Sequence, residues 1–166
     1  MRTVARVEGR VVAKADLEPF PVQTAAKGIL RRAIQLEKRQ RDLDFLKDDP
    51  DLAPLSIILT TLSAQAYEWC VTHAAYDNEL DLLCDTIRAM PWFIQSDVRE
   101  GAKLWLISNE TTHGENFAEK WNADRDRANA FFAWHETVLA DFERLKTLAG
   151  VDEIERELAR IIGEEP

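Results

Sequence analysis

The chain has 166 residues, of which 46% are hydrophobic, and a formal net charge of −9. This composition suits one folded domain and excludes a disordered chain. The acidic balance argues against DNA binding by the whole surface, because neutralising phosphates requires Lys and Arg. Without a run of 18 apolar residues or a secretory h-region, we expect no membrane span and a cytoplasmic location. Cys70 and Cys84, outside any CxxC pair, are expected to be reduced, buried thiols.

The first 23 residues differ from the rest of the chain. Closely spaced valines precede Pro19 and Pro21, a pattern that indicates one or two short strands or a flexible arm. We therefore divide the chain into an extended N-terminal arm over 1–23 and a helical domain over 24–166.

Helical periodicity dominates the remaining sequence. It predicts a helix over 24–46 with Thr24 as its N-cap, and a second helix over 54–75. The second helix is apolar around most of its circumference, which is typical of the centre of a bundle. The expected fold class is therefore mainly all-α, a helical bundle around this central apolar helix.

The pattern continues with a third helix over 78–90. After Pro91, the residues Trp92, Phe93 and Ile94 are expected to fill the core from a loop or short turn. Residues 95–114 are the least regular, with a short strand or buried extended segment at 103–107, and a short helix is predicted over 115–121.

Two more helices are expected at the C-terminus. One runs over 124–149 with Gly150 as its C′ residue. The last runs over 151–162 and carries the apolar stripe Ile154, Leu158 and Ile161, which either packs within the chain or docks a partner.

No complete catalytic or metal site is readable. His73, His113 and His135 share no ligand spacing, and His135 with Glu136 is expected on a solvated face. The D-x-D pairs at 42/44, 49/51 and 124/126 fall on no predicted strand, so their carboxylates would not converge on Mg²⁺. The nucleophile elbow GxSxG, the Walker loop and the GxGxxG turn are absent.

One charge feature stands out. Residues 27–41 carry six cations against Glu37 alone, and Arg31, Lys38 and Arg41 fall on neighbouring helical turns. Such a stripe is either a solvated polar face or a surface for anions and phosphates. It is followed by Ser56 at the start of the second helix, and a helix N-terminus with a hydroxyl is a ready phosphate contact.

At these residues the chain resembles the C-terminal lobe of bacterial cGAS-like (DncV-like) nucleotidyltransferases, related to oligoadenylate synthetases. The resemblance spans about 19–148. It rests on the basic stretch LRRAIQLEKRQRD, on the apolar segment LAPLSIILTTLSAQAY, and above all on ENFAEKW at 115–121 followed by AFFAW.

The resemblance implies an ATP-binding or GTP-binding enzyme that makes cyclic oligonucleotides in antiviral (antiphage) defence. In that family a palm lobe holds Mg²⁺ on three carboxylates, and the helical lobe supplies a Lys and a Ser to the triphosphate; by motif position these are Lys38 and Ser56. Arg31 and Arg41 would add to the phosphate surface.

The chain also departs from that family's pattern. It contains no Gly-Ser dipeptide, and Asn109-Glu110 stands where the family has Asn-Pro. We therefore expect a detached helical lobe that lacks the catalytic carboxylates, is inactive alone, and uses Mg²⁺ only in the complete enzyme. Its expected partners are a nucleoside triphosphate, bound weakly, and a palm lobe or a second copy. The alternative is a non-catalytic interaction or oligomerisation module.

Overall fold

The computed structural model describes residues 21–46 and 49–163, with only the backbone described over 21–27. The arm expected over 1–23 lies outside the described residues, except that the first helix already begins at Pro21.

Six α-helices, two short 3₁₀ helices and a β-hairpin make up the described part. The helices are α1 (Pro21–Phe45), α2 (Ser56–His73), α3 (Glu79–Ala89), α4 (Glu119–Ala123), α5 (Arg125–Leu145) and α6 (Val151–Ile162). The 3₁₀ helices are Pro50–Leu52 and Met90–Phe93, and the strands are β1 (Gln95–Arg99) and β2 (Ala102–Leu106). The predicted all-α class is confirmed. No helix within the described ranges is long and apolar enough to cross a bilayer.

Helix α2 lies at the centre of the bundle, where it packs against α1, α3 and the second 3₁₀ helix. Its fully buried residues are Ile58, Leu59, Leu62, Ser63, Ala66 and Cys70. The central position is confirmed, but Ile57, Trp69 and Val71 remain partly exposed.

Helix α5 supplies the aromatic half of the core. Phe131 is fully buried, with ring centroids 4.9 Å from Trp121 and 5.9 Å from Trp134. The helix begins after Asp124, whose side chain accepts a hydrogen bond from the Asp126 amide. It ends at Leu145, and Gly150 is instead the extended N-cap residue of α6. The prediction of Gly150 as a C′ residue is therefore wrong.

Two further predictions are corrected by packing. Trp92, Phe93 and Ile94 were expected to fill the core, but Trp92 is 60% exposed and its ring meets Trp69 edge-on. Only Phe93 and Ile94 pack against the core. His135 is buried rather than solvated, and its Nε2 lies 2.7 Å from the Ile87 carbonyl oxygen. Burial lowers the pKa of this imidazole, because the charged form loses its water.

The hairpin occupies the region that looked least regular. Its strands pair antiparallel with Asp97 opposite Leu104, and the turn residues Glu100 and Gly101 both have positive φ. Positive φ at both positions is the geometry of a two-residue type I′ turn. The short strand expected at 103–107 is thus confirmed as β2. Its partner, strand β1, was not predicted from the sequence.

Helix α6 packs against α1 and α5. Ile161 is buried and Leu158 packs against the core, while Arg160 pairs with Glu157 of its own helix and with Asp141 of α5. The apolar stripe that suggested a partner-docking helix is thus largely covered within the chain.

Candidate phosphate-binding site

The basic residues of α1 divide between two sides of the helix. Arg32 forms an ion pair with Glu79 of α3, and Arg39 donates to the Ile162 carbonyl of α6. Arg31, Lys38 and Arg41 occupy the other side, since spacings of seven and three residues return to the same helical face. The predicted stripe therefore exists, but it contains three of the five cations whose side chains are described.

Arg41 joins this stripe to the start of α2. Its Nη1 donates to the Ser56 hydroxyl oxygen at 3.0 Å and to the Pro54 carbonyl at 2.9 Å. Its Nη2 forms an ion pair with Asp42, and the Arg41 side chain is only 12% exposed. The guanidinium is thus anchored, and it lies within hydrogen-bond distance of the exposed Ser56.

Ser56 is the first residue of α2 rather than its cap. Leu55 holds the N-cap position without a side-chain hydrogen bond, and the Ser56 carbonyl accepts from the Thr60 hydroxyl at 2.8 Å. The first N–H groups of a helix lack intrahelical partners and carry a partial positive charge. Because Arg41 donates to the Ser56 oxygen, the hydroxyl hydrogen of Ser56 can still point toward an anion.

Lys38 lies one turn before Arg41 and is half-buried. Among the described residues it forms no ion pair within 4 Å. At 1.5 Å per residue, Lys38 is only about 4.5 Å along the helix axis from Arg41, whereas Arg31 is about 15 Å away. Arg41 therefore contacts Ser56 directly, Lys38 lies about one turn from Arg41 on α1, and Arg31 lies about three turns away.

An open groove of about 360 Å³ begins beside Ser56. One wall is the exposed side of α2 with Ile57, and the other is the loop that contains Asn109 and Phe117. Gln65 of α2 donates to Glu110 of that loop at 2.9 Å. Apolar side chains among hydroxyl, amide and carboxylate groups are found in many small-molecule sites.

The ENFAEKW segment has a structural role in this region. The Asn116 side chain accepts hydrogen bonds from the amides of Ile107 and Ala118 and donates to the Trp105 carbonyl, each at 2.9 Å. Ala118 and Trp121 are buried in the core. The segment thereby ties the end of the hairpin to α5 and fixes one wall of the groove.

Comparison with known proteins gives one relevant match. The chain is 26% identical over 154 residues to a c-di-GMP synthase from Roseivirga ehrenbergii. That alignment covers 92% of this chain, which spans 37% of the relative's length. No family model matches the chain. A cyclic-dinucleotide-synthesising enzyme is therefore similar in sequence to most of this protein, in agreement with the resemblance to cGAS-like nucleotidyltransferases.

The described His, Cys, Asp and Glu side chains do not converge on a metal site. In the described ranges, no three His, Cys, Asp or Glu side chains are grouped as a metal site would require. The D-x-D pair at 42/44 lies on α1, where Asp42 turns to Arg41 and Asp44 accepts from Gln40.

Sequence reasoning missed a buried polar layer behind the basic stripe. Glu37 and Gln40 face inward from α1, toward Ser63 of α2 and Trp134 of α5. Their spacing of three residues places them on one face of the helix. The apolar residues Ala33 and Leu36 lie on the same face. This pattern was the signal in the sequence that Glu37 and Gln40 belong to the face of α1 that meets the core.

Proposed function

We propose that this chain is the helical lobe of a cyclic-dinucleotide-synthesising nucleotidyltransferase, and that it binds the triphosphate of a nucleoside triphosphate. The observation that carries the proposal is the contact between Arg41 and Ser56, which joins a basic helical face to the first turn of another helix. The name of the similar enzyme, c-di-GMP synthase, makes GTP the first candidate nucleotide.

The proposed contacts divide by chemistry. Lys38 supplies a mobile ammonium group to a phosphate oxygen, and Ser56 donates its hydroxyl hydrogen to the same tail. Arg41 orients the Ser56 oxygen and adds positive potential, while the first N–H groups of α2 favour negative charge. Arg31, about 15 Å from Arg41 along the helix axis, attracts the triphosphate only through its longer-range positive charge.

The adjoining groove would then receive the base. A triphosphate held at Ser56 directs the rest of the nucleotide along the exposed side of α2, where Ile57 and Phe117 offer apolar walls. In this proposal the reacting Mg²⁺ ions and their carboxylates belong to the palm of the complete enzyme. The lobe therefore binds and orients the nucleotide but does not catalyse the reaction alone.

Ligand-induced stabilisation tests the proposal. Thermal unfolding of the chain is measured with and without millimolar GTP or ATP, for the wild type, Lys38→Ala and Ser56→Ala. Arg156→Ala on α6 is the matched control, because it removes the same charge from an exposed position on another helix. Nucleotide at ten times its Kd should stabilise the wild type by about 1.4 kcal/mol, or about 3–6 °C.

Both site variants should lose most of this shift, and Arg156→Ala should keep it. The absence of a shift in the wild type, or an equal shift in Lys38→Ala, would contradict a triphosphate site at this position.

A further inference from the structure

Glu37 directly precedes the proposed phosphate ligand Lys38, but its carboxyl group lies inside the protein. The residue is completely buried between α1 and α2. The Ser63 hydroxyl lies 2.6 Å from Glu37 Oε2 and 3.8 Å from the Met90 sulfur. Within the described part of the protein, Glu37 Oε1 has no hydrogen-bond partner. A buried carboxylate with one hydrogen-bond partner is poorly stabilised in its charged form.

A neutral carboxylic acid suits this pocket better than a carboxylate. Ser63 has one hydroxyl hydrogen, which satisfies an ionised Glu37 only at Oε2. A protonated Glu37 donates to the Ser63 oxygen instead, and the Ser63 hydrogen can then turn toward Met90. Burial raises the pKa of Glu37 to about 8, although the Ser63 hydrogen bond and the charge of Lys38 lower it.

Among the described residues, few charged groups act on Glu37. Ser63 is its polar contact on α2, and Lys38 is the cation whose field reaches it. Tyr67 lies one turn beyond Ser63 on α2. The buried titratable groups on the other helices packed against α1 are already engaged, His135 with the Ile87 carbonyl and Glu157 with Arg160.

Two polar contacts set how α1 lies on α2. Arg41 meets Ser56 at the exposed end, and Glu37 meets Ser63 in the interior. The earlier residue of α1 meets the later residue of α2, so the two helices are antiparallel. The Glu37 contact lies about one turn from the Arg41 contact along α1 and about two turns along α2. Any displacement of α1 at Glu37 therefore also moves Lys38 and Arg41 relative to Ser56.

We infer that Glu37 is a positioning residue, which in its neutral form holds α1 on α2 through Ser63 and thereby keeps Lys38 and Arg41 at Ser56. Ionisation of Glu37 loosens this contact and weakens phosphate binding. The inference rests on the proposed function, and it adds a pH dependence to the same site.

The test compares GTP affinity at pH 7 and pH 9 by calorimetry for the wild type and Glu37→Gln, which keeps the size and neutrality of the protonated acid. Glu136→Gln, an exposed change on α5, controls for lost negative charge. If only the neutral form binds and its pKa is about 8, the competent fraction falls about tenfold over this range. Wild-type Kd should therefore rise about tenfold more than that of Glu37→Gln, because the pH dependence of GTP itself affects both proteins equally.

A measurement without nucleotide separates this inference from the proposed function. Amide hydrogen exchange in α1, corrected for its intrinsic pH dependence, should show less protection at pH 9 than at pH 7 in the wild type but not in Glu37→Gln. Ser63→Ala, which removes the partner of Glu37 on α2, should weaken GTP binding already at pH 7.

The outcomes are distinct. Equal pH dependence of exchange in the wild type and Glu37→Gln would overturn the inference. A change in exchange without an accompanying change in affinity would overturn the link to the phosphate site. A pH-dependent α1 in a protein that binds GTP at neither pH would refute the proposed function while supporting the role of Glu37 on α1.

Discussion

The hydrogen bond between Gln40 and Trp134 should be a measurable anchor of the basic helix. The Trp134 indole N–H donates to Gln40 Oε1, and both side chains are only 3% exposed. The other end of Gln40 donates to Asp44 at 2.7 Å. The bond thus connects the C-terminal half of α1, which carries the candidate phosphate ligands, to the aromatic core of α5.

Replacing Gln40 with Met keeps the length of the side chain but leaves the buried indole N–H without an acceptor. An unsatisfied buried donor costs about 1–3 kcal/mol, so the free energy of unfolding should fall by about 2 kcal/mol. For a chain of this size, that corresponds to a decrease in Tm of about 4–8 °C. Trp134→Phe removes the donor and some buried surface, and should cost about 2–3 kcal/mol.

A double-mutant cycle isolates the bond itself. Urea unfolding followed by far-ultraviolet circular dichroism would give the free energy of unfolding for the wild type, the two single variants and the double variant. Once either partner is absent, losing the other costs less, so the double variant should be more stable than additivity predicts by about 1–2 kcal/mol. Additivity within about 0.3 kcal/mol would refute an energetic role for this bond.

Three further predictions concern stability. Phe131→Ala should lower the free energy of unfolding by about 3–5 kcal/mol in urea titrations, because it empties the centre of the aromatic core; a loss below about 1 kcal/mol would contradict that placement. Because the pKa of His135 is lowered from 6.5 by burial, the unfolded chain binds the proton more readily, so stability should be lost as pH falls through about 6.5. His135→Gln should reduce this loss between pH 7.5 and 5.5 in Tm measurements, and an unchanged slope would argue against a buried neutral imidazole. Gly163→Ala should cost about 1 kcal/mol or more in the same assay, since Gly163 has φ of 70° and an added Cβ would lie 2.6 Å from Leu43 Cδ2; an unchanged Tm would show that Leu43 moves aside freely.

The sequence by itself determined the helices that have strong local signals. The apolar run of α2, the Asp124 boundary of α5 and the stripe of α6 all depend on residues within one or two turns of each other. Periodicity also placed Arg31, Lys38 and Arg41 on one helical face. These features could be predicted because they follow from backbone geometry alone.

The tertiary structure decided which polar side chains face the interior and which elements meet. Glu37 and Lys38 are neighbours in the chain, yet one is sealed against Ser63 and the other faces outward. His135 was expected in solvent but lies against α3, and Gly150 begins a helix rather than ending one. The contact between Arg41 and Ser56 joins residues 15 positions apart across a helix–helix packing. Such outcomes depend on burial energies summed over several distant elements, which no local pattern in the sequence contains.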